Sequence, residues 1–548
     1  MHDKTNENLI TEDILPERIV FFEGNVCPQS LLKAKSKQIG IGKEDVVVFE
    51  GRCAVVLDFG KEIVGGVRIL NYFSDAPRKI RLRFGESVSE TCAEIGEKNA
   101  TNDHALRDFT VELPQLSDGV YGNTGFRFLR IDTYQGRLEI KSVYAHDHKK
   151  KVTVHGSFFC NDERVNEIYA VAKETLLCNL QNGYVWDGVK RDRLVWIGDL
   201  HPELMGISCL LGQDDSIENC LRLAVEQTPL PEWMNTIPAY SLWWIIDLYD
   251  WYMQTGEKRL LDEHKEYLGE LLKQVDGLIT DSGETKFHQY MLDWQTHGKE
   301  DEIPGVAALA LIAAKCGKRI MLELGGDISV AEGMIKRLQR RKVHAKTSKS
   351  AVAMEVLAGL FQPDAAKSIL TDRGAMGVST FTSYYVFHAL SKSGAGAEAL
   401  KMCKKYYGGM LDKGACTFWE DWSPDWAVGS SRIDRLPAEG EKDVHGDFGA
   451  HCYKGFRHSL CHGWSCGPVP FFAHDILGVR VKEAGCKTVS VSPTPDLCGL
   501  QWAKGVYPTP YGDITIEHEM RPDGRLISDV RLPEGVRRET AAAYTLQK

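Results

Sequence analysis

Apolar and polar positions follow three successive rhythms along the chain. The first part alternates with a period of two or forms short β-branched runs: Val46-Val47-Val48-Phe49, Ala54-Val55-Val56-Leu57-Asp58-Phe59, Lys79-Ile80-Arg81-Leu82-Arg83-Phe84 and Phe126-Arg127-Phe128-Leu129-Arg130-Ile131. Gly60, Gly65, Gly66 and Gly85 punctuate them. Many short strands with turn signals predict an N-terminal β-sandwich. From about Ser157 the period becomes helical, with Val165, Ile168, Tyr169, Ala172, Leu176 and Leu177 at i, i+3/i+4 spacing. Similar stretches recur near 239–254, 258–279, 303–315, 327–341, 348–360, 379–392 and 395–407, with no strand-like block between them. Helices paired at variable spacing, without a fixed repeat, suit a barrel of helical hairpins whose loops carry function at one end. The tail returns to β at Thr488–Val491, Asp513–Glu517 and Asp529–Leu532, with Pro493, Pro495, Pro508 and Pro510 marking turns. The expected division is residues 1–155, 156–480 and 481–548.

Composition narrows the function classes. With 548 residues, 43% hydrophobic, 26% charged, the chain reads as globular rather than disordered. A net charge of −10 gives no electrostatic footprint for nucleic acid or anionic membranes. Met1–Asn8 lacks an apolar signal-peptide core, and the longest apolar run, Val306–Ala314, is far too short to span a bilayer. Fifteen scattered cysteines without a CxxC pair fit neither a disulfide framework nor a Cys-rich zinc site. A cytoplasmic location is the expectation.

Two clusters carry the candidate chemistry. Trp186-Asp187-Gly188-Val189-Lys190-Arg191-Asp192-Arg193-Leu194-Val195-Trp196-Ile197-Gly198-Asp199 packs three carboxylates, three cations and two indoles into a loop between helical stretches. A solvated loop with internal ion pairs would account for the charges. Tryptophans on a loop, however, are costly unless they cover something, and Arg191 and Arg193 flank Asp192 and tune its charge. The second cluster is Ala415-Cys416-Thr417-Phe418-Trp419-Glu420-Asp421-Trp422-Ser423-Pro424-Asp425-Trp426. Acid–base cleavage of a glycosidic bond needs two carboxyl groups across the scissile bond, about 6.5–9.5 Å apart when water must fit between. Asp192 and Glu420 are such a pair if the fold brings them together. His445, His451, His458, His462 and His474 form a histidine-rich stretch, but no HExxH pattern is present and no metal is expected. His462 reads better as a contact to a ligand hydroxyl. Gly463-Trp464-Ser465-Cys466-Gly467 matches a nucleophile elbow without the parallel α/β context that motif needs. Lys336–Lys342 reads as an exposed basic helix face.

At these clusters the sequence resembles the α-L-rhamnosidases of glycoside hydrolase family 78. Their general-acid pattern runs roughly Asp-Gly-Pro-Lys-Arg-(Glu or Asp)-Arg-Leu-Gly-Trp-x-Gly-Asp, and residues 187–199 follow it. Thr417-Phe418-Trp419-Glu420 matches the family's general-base motif, and His462 falls at a sugar-contacting histidine. Ile237–Trp244 and Leu292-Asp293-Trp294 are weaker matches to segments lining the sugar pocket. Leu57–Gly66 resembles the family's β-sandwich, and Gln501–Gly505 with Pro508–Gly512 its C-terminal β-domain. The resemblance implies a central all-α (α/α)6 six-hairpin barrel flanked by an N-terminal β-sandwich and a small C-terminal β-domain. It implies inverting, cofactor-free removal of terminal α-L-rhamnose, with Asp192 as general acid and Glu420 as general base. Asp187, Arg191, Asp199 and His462 would hold sugar hydroxyls, and Trp196, Trp244 and Trp294 would wall the C5 methyl. The sequence departs from the pattern at Asp192 (usually Glu), Val189 (Pro), Val195 (Gly) and Cys461-His462-Gly463-Trp464 (Asn-His-Tyr).

Two other readings stay open. The same barrel could act on another deoxy sugar or a uronic acid, as hydrolase or lyase, or the chain could be a non-catalytic carbohydrate-binding protein. Two carboxyls favour hydrolysis over a lyase, which would want a Tyr, His or Lys base. The partner expected is a carbohydrate, with no nucleic acid and no membrane, and a homo-oligomer is left open.

Overall fold

The computed structural model describes residues 9–74 and 76–539, and counts and absences refer to these. The segment Met1–Asn8, read above for a signal peptide, lies outside them. The N-terminal part comprises β1 (Leu9–Ile14), β2 (Arg18–Val26), β3 (Val47–Ser74), β4 (Arg78–Gly85), the short helix α1 (Val88–Cys92), β5 (Asp108–Leu113), β6 (Ser117–Thr133) and β7 (Arg137–Lys150). The runs Val46–Phe49 and Ala54–Phe59, expected as separate strands, lie on the single long strand β3. Its pairing with β6 slips between Asp58 and Ile63 and again between Gly65 and Val67. Such breaks bend a strand. At the second break a side chain on Gly65 would strike the His146 carbonyl at 2.1 Å. One half of β3 lies between β2 and β6, the other between β6 and β7. The strands therefore form one continuous sheet, ordered β1-β7-β3-β6-β4-β5 with β2 on β3, and not two separately bonded sheets. Phe49, Val55, Leu57, Phe84, Phe126 and Ile131 fill its core.

The helical part contains β8 (Ser157–Cys160), α2 (Glu163–Cys178), a two-residue hairpin of β9 (Leu180–Gln181) and β10 (Tyr184–Val185), α3 (Leu200–Leu210), α4 (Asp215–Glu226), α5 (Pro238–Thr255), α6 (Lys258–Asp276), α7 (Glu302–Glu323), α8 (Ser329–Leu338), α9 (Lys349–Ala358), α10 (Pro363–Thr371), α11 (Ser383–Lys392), α12 (Gly396–Asp412) and α13 (Pro468–Phe471). Neighbour contacts run α3–α5–α7–α9–α11–α13 and back to α3, so these six close a ring. Helices of the ring are buried on nearly every side. Those between them bury one stripe, as α6 does with Leu260, Leu261, His264, Leu268, Leu271 and Val275. Helices α3, α4, α10 and the short α13 are additional to the stretches read from periodicity. Helix α3 has no polar face to mark it, since His201, Pro202 and Glu203 are buried with its apolar residues.

The tail folds as β11 (Val479–Glu483), β12 (Thr488–Val491), β13 (Trp502–Thr509), β14 (Gly512–Met520), β15 (Leu526–Arg531) and β16 (Arg537–Arg538). One sheet is β15-β14-β13-β8, so the strand just ahead of the helices is an edge of the C-terminal sheet. Phe158, Ala503, Tyr507, Ile514 and Ile516 join the helical core, which is continuous with that sheet. The basic stretch is not wholly an exposed face. Arg341 is buried and bonded to Glu355 at 2.5 Å, because the chain leaves α8 just before it and turns inward.

Charged groups lock the sheet-rich part to the helical part, some at the surface and some buried. Arg18 and Arg127 share Asp58 and reach across to the carbonyls of Asp434 and Gly414. Lys190 enters a buried cage from the other side. Its ammonium lies 2.9 Å from Glu86 and 3.1 Å from Glu90 and donates to the carbonyls of Phe456 and His458. Glu86, Glu90 and His445 are the group with metal-like spacing, and the lysine ammonium already supplies their cation. The Lys190→Met variant would leave two buried carboxylates without a counter-charge. It should lose about 3–5 kcal/mol of stability, read from its urea midpoint; an unchanged midpoint would show that the cage does not hold the domains.

Candidate active site

Three chain segments build the site. Residues 187–199 form the loop from α2 and the β9–β10 hairpin to α3. The loop is pinned by backbone bonds Asp187 N–H to the Leu194 carbonyl, 3.0 Å, and Gly463 N–H to the Asp187 carbonyl, 2.7 Å. Gly188 is required there, because a Cβ would lie 2.3 Å from the Arg191 carbonyl. Val189 plugs the loop into an apolar contact with Val64, Cys178 and Cys461. The second segment runs from Thr417 to Asp421 and bonds to the third, 457–464, through Glu420 N–H to Ser459 O and His462 N–H to Phe418 O. Trp464 then donates its indole N–H to the Glu420 carbonyl at 2.8 Å. Glu420 is thus fixed at both its backbone groups.

These segments and the N-terminal turn of α5 surround a cavity of about 290 Å3. Asp187, Arg191, Asp192, Trp196, Asp199, Trp294, Glu420 and His462 all line it. Trp244 does not, which corrects the expectation for that residue. Its ring packs against His264 and Tyr267 of α6, and its N–H is bonded to the Leu221 carbonyl. Only the first turn of α5 reaches the cavity, through Ile237 and Tyr240, and Trp244 lies one turn deeper on the outward side. The cavity also takes Gln289, Met291, His297, Cys452, Arg457 and Trp464, which were not picked out from the sequence. Gln289 and His297 flank the Leu292-Asp293-Trp294 segment. Cys452 and Arg457 carry no signal of their own.

One guanidinium joins the two candidate catalytic carboxyls. Arg191 donates one Nη to Asp192 Oδ1 at 2.9 Å and the other to Glu420 Oε2 at 2.5 Å, while its Nε–H bonds the Arg457 carbonyl. A single fork touching both keeps their nearest oxygens within roughly 8 Å, close enough for a sugar–oxygen bond and a water between them. Glu420 also accepts the Ser459 N–H at 3.3 Å, and the Cys452 thiol lies 3.8 Å from its other oxygen. Its side chain is 3% exposed, against 17% for Asp192. Asp192 Oδ1 also faces His104 at 3.3 Å, a residue of the sheet-rich part, and Arg457 at 3.9 Å. All these contacts fall on Oδ1 and leave Oδ2 uncommitted.

The remaining acids are held by the backbone and by burial. Asp187 accepts the N–H groups of Asp192 and Leu194, both at 2.9 Å. Burial, with the nearby charge of Asp192, pushes its carboxyl up to about 7. Asp199, bonded to the Tyr240 hydroxyl at 3.1 Å, is driven well above the carboxylate range by burial and by Asp187. His462 is held far below the usual imidazole range by burial and by the Arg191 charge. Its Nε2 lies 3.7 Å from Asp187, and its Nδ1 has no partner within the protein. The site therefore offers a neutral imidazole and protonatable acids to a hydroxylated ligand. Trp196 and Trp294 supply the apolar wall, the latter stacked on His451 at 4.7 Å.

Two other sequence features resolve differently. His458 and His462 do not share a helix face: 458–462 is non-helical chain with bends, so their spacing is not that of a helix-face pair. Ser465 sits in a single 3-10 turn and donates to the Trp419 carbonyl at 2.5 Å, without the strand-to-helix turn of a nucleophile elbow.

Residues 153–313 match the family model for the six-hairpin glycosidase domain of bacterial α-L-rhamnosidases, and residues 478–541 match the model for the C-terminal domain of these enzymes. Solved structures agree in fold. The family 78 rhamnosidase of Bacillus sp. GL1 superposes with a TM-score of 0.71 at 21% identity, covering 94% of this chain and 56% of that one. The Klebsiella oxytoca rhamnosidase with rhamnose bound gives 0.66 at 19% identity, over 85% and 96% of the two chains. The Streptomyces avermitilis α-L-rhamnosidase complexed with L-rhamnose gives 0.68 at 16%, over 88% and 48%. The chain thus spans little more than half the length of the Bacillus enzyme. No curated protein matches the sequence significantly.

Asp187 gives the site a measurable pH signature. Its carboxyl rises from an ordinary 3.8 to about 7 on folding. The associated stability is present in full below the lower value and is lost as pH climbs through about 7. Asp187→Asn does not ionise and escapes this loss. Its melting temperature relative to the wild type should therefore rise between pH 4 and pH 8. A constant difference across that range would show that Asp187 is not protonated in the folded protein.

Proposed function

The chain is related to the α-L-rhamnosidases of glycoside hydrolase family 78, and we propose that it is a glycoside hydrolase that removes terminal α-L-rhamnose with inversion. The observation that carries this reading is the Arg191 fork, which spans Asp192 at the mouth and Glu420 at the floor of an aromatic-walled cavity. Two of the relatives hold rhamnose, which supports the choice of sugar.

In this reading Asp192 Oδ2 protonates the leaving glycosidic oxygen. Glu420, held as the partner of Arg191, takes a proton from water attacking the opposite face of the ring. Arg191 has two tasks: it fixes the distance between the carboxyls and stabilises the negative charge of Glu420 in a site almost closed to water. Asp187, Asp199 and His462 bond the sugar hydroxyls, and Trp196 with Trp294 takes the C5 methyl. A methyl contact discriminates by only about 1–3 kcal/mol, so the sugar is selected chiefly by the hydroxyl partners. No step needs a cofactor. The ring α3–α5–α7–α9–α11–α13 with its intervening helices supports an (α/α)6 barrel, and the bend of β3 supports a sandwich-like wrapping of the N-terminal sheet. The proposed domains are residues 1–155, 156–480 and 481–548, although β8 pairs with β13 of the C-terminal sheet and β11 begins at Val479.

Turnover of para-nitrophenyl α-L-rhamnopyranoside beside a panel of other para-nitrophenyl glycosides tests the function. Asp192→Asn and Glu420→Gln should each lose roughly 10²–10⁴ in kcat while remaining folded. Proton NMR of the first-formed product should show β-L-rhamnose. Release of the α-anomer would overturn inversion, and exclusive cleavage of a different glycoside would overturn the sugar.

A further inference from the structure

The inner helices end on a second cavity, of about 500 Å3, larger than the candidate active site. The active site meets the N-terminal ends of α3 and α5, at Asp199 and Tyr240. The second cavity meets the opposite ends of the same helices, at Ser208 and Tyr249 to Gln254. It is closed by α7, α11 and strands β11 and β13 of the C-terminal part.

Its charges are unevenly committed. Asp250 is taken by His201, whose Nε2 lies 2.9 Å from its carboxylate. Arg480 is taken by Asp475 at 2.9 Å and by the carbonyls of Val479 and His474. Arg319 is different. It gives one hydrogen bond, to the Tyr249 hydroxyl at 2.7 Å, and among the described residues no carboxylate comes within ion-pairing distance of it. Lys482 has only Glu539, at 3.7 Å on the open side. Deeper in, the Ser208 hydroxyl is 3% exposed and has no hydrogen-bond partner, an arrangement that a buried polar group does not keep without a ligand or water. Tyr249, Tyr384 and Tyr507 present aromatic surface, with Tyr384 stacked parallel to His388 at 5.8 Å.

A guanidinium without a carboxylate partner, an ammonium held only by a long, exposed ion pair to Glu539, an unpartnered hydroxyl inside and flat aromatic walls are elements that recognise an anion on a hydroxylated ring. We propose that this cavity binds an acidic sugar, a ring carrying a carboxylate or a phosphate. Arg319 and Lys482 receive the anionic group, Ser208 a ring hydroxyl, and the tyrosines the ring face. The site is independent of the proposed hydrolysis, and its occupancy does not require Asp192 or Glu420.

Isothermal titration of the full-length protein with glucuronate, glucose 6-phosphate and neutral glucose tests it, with L-rhamnose present to fill the first cavity. At least one acidic sugar should bind, and which of the two binds distinguishes carboxylate from phosphate. Glucose should bind at least tenfold more weakly. Arg319→Met should weaken the acidic sugar at least tenfold and Ser208→Ala several-fold, while turnover at the first cavity by Arg319→Met stays unchanged and reports a folded protein. Absence of binding by both acidic sugars at millimolar concentration, equal binding of glucose, or affinity untouched in Arg319→Met would each overturn the proposal.

Discussion

The site depends on one guanidinium. Arg191 is buried and surrounded by acids, and its two Nη groups are spent on Asp192 and Glu420, which come from opposite ends of the helical part of the sequence. Two carboxyls brought this close would repel and desolvate each other; a fork between them changes repulsion into a fixed spacing. The planar five-donor geometry explains why this position is an arginine: a lysine ammonium could neutralise one partner but not set the distance between two. The Nε–H bond to the Arg457 carbonyl removes the remaining freedom of the fork.

Around this fork the protein accepts a high density of buried acid. Asp187, Asp199, Glu203 and Asp247 all have their carboxyls pushed upward by burial, and each is raised further by a neighbouring acid: Asp187 by Asp192, Asp199 by Asp187, Glu203 by Asp199 and Asp247 by Asp250. They lie on the loop before α3, on α3 itself and on α5, running inward from the first cavity. The price is met by protonation rather than by cations, since a neutral carboxylic acid avoids the desolvation penalty of an ion and gains a donor. The cations are concentrated instead where charge must persist: Arg191 at the carboxyl pair and Lys190 at the domain junction.

Legibility in the sequence followed how local the determinant was. The loop 187–199 was readable because its charges, glycines and indoles are contiguous: Asp187, Arg191, Asp192, Trp196 and Asp199 reach the cavity, whereas Arg193, expected to tune Asp192, turns away to Asn123 and Trp186. Periodicity located α5, α6 and α9 closely, and it found the starts of α7 and α12 but ended both too early. It failed at α3, whose buried His201 and Glu203 erase the polar face. It also misplaced Trp244, since the sequence shows that an aromatic lies on α5 but not at what depth the cavity ends. The single strand β3 was unreadable as such, because its bends sit at Asp58–Ile63 and Gly65, where sequence signals a stop. Cys452, Arg457 and His104 come from separate loops, and only the tertiary fold brings them to Asp192 and Glu420.

The sheet-rich part is more than a neighbour of the helical part. Lys190 and Arg191 are consecutive: the first is buried against Glu86 and Glu90 beside α1, and the second holds the carboxyl pair. Val189, one residue earlier, packs on Val64 of β3, and β6 passes so close that a Cβ on Gly125 would lie 2.6 Å from the Val189 side chain. From the same side His104 touches Asp192, and Asp103 bonds Arg457 at 3.1 Å. The loop that carries the chemistry is therefore clamped between two bodies, one supplying the carboxyls and the other the counter-charges that hold their backbone. A helical part isolated from the sheet would keep Asp192 and Glu420 in its sequence but lose the cage that sets Lys190, and with it the placement of the adjoining Arg191 fork.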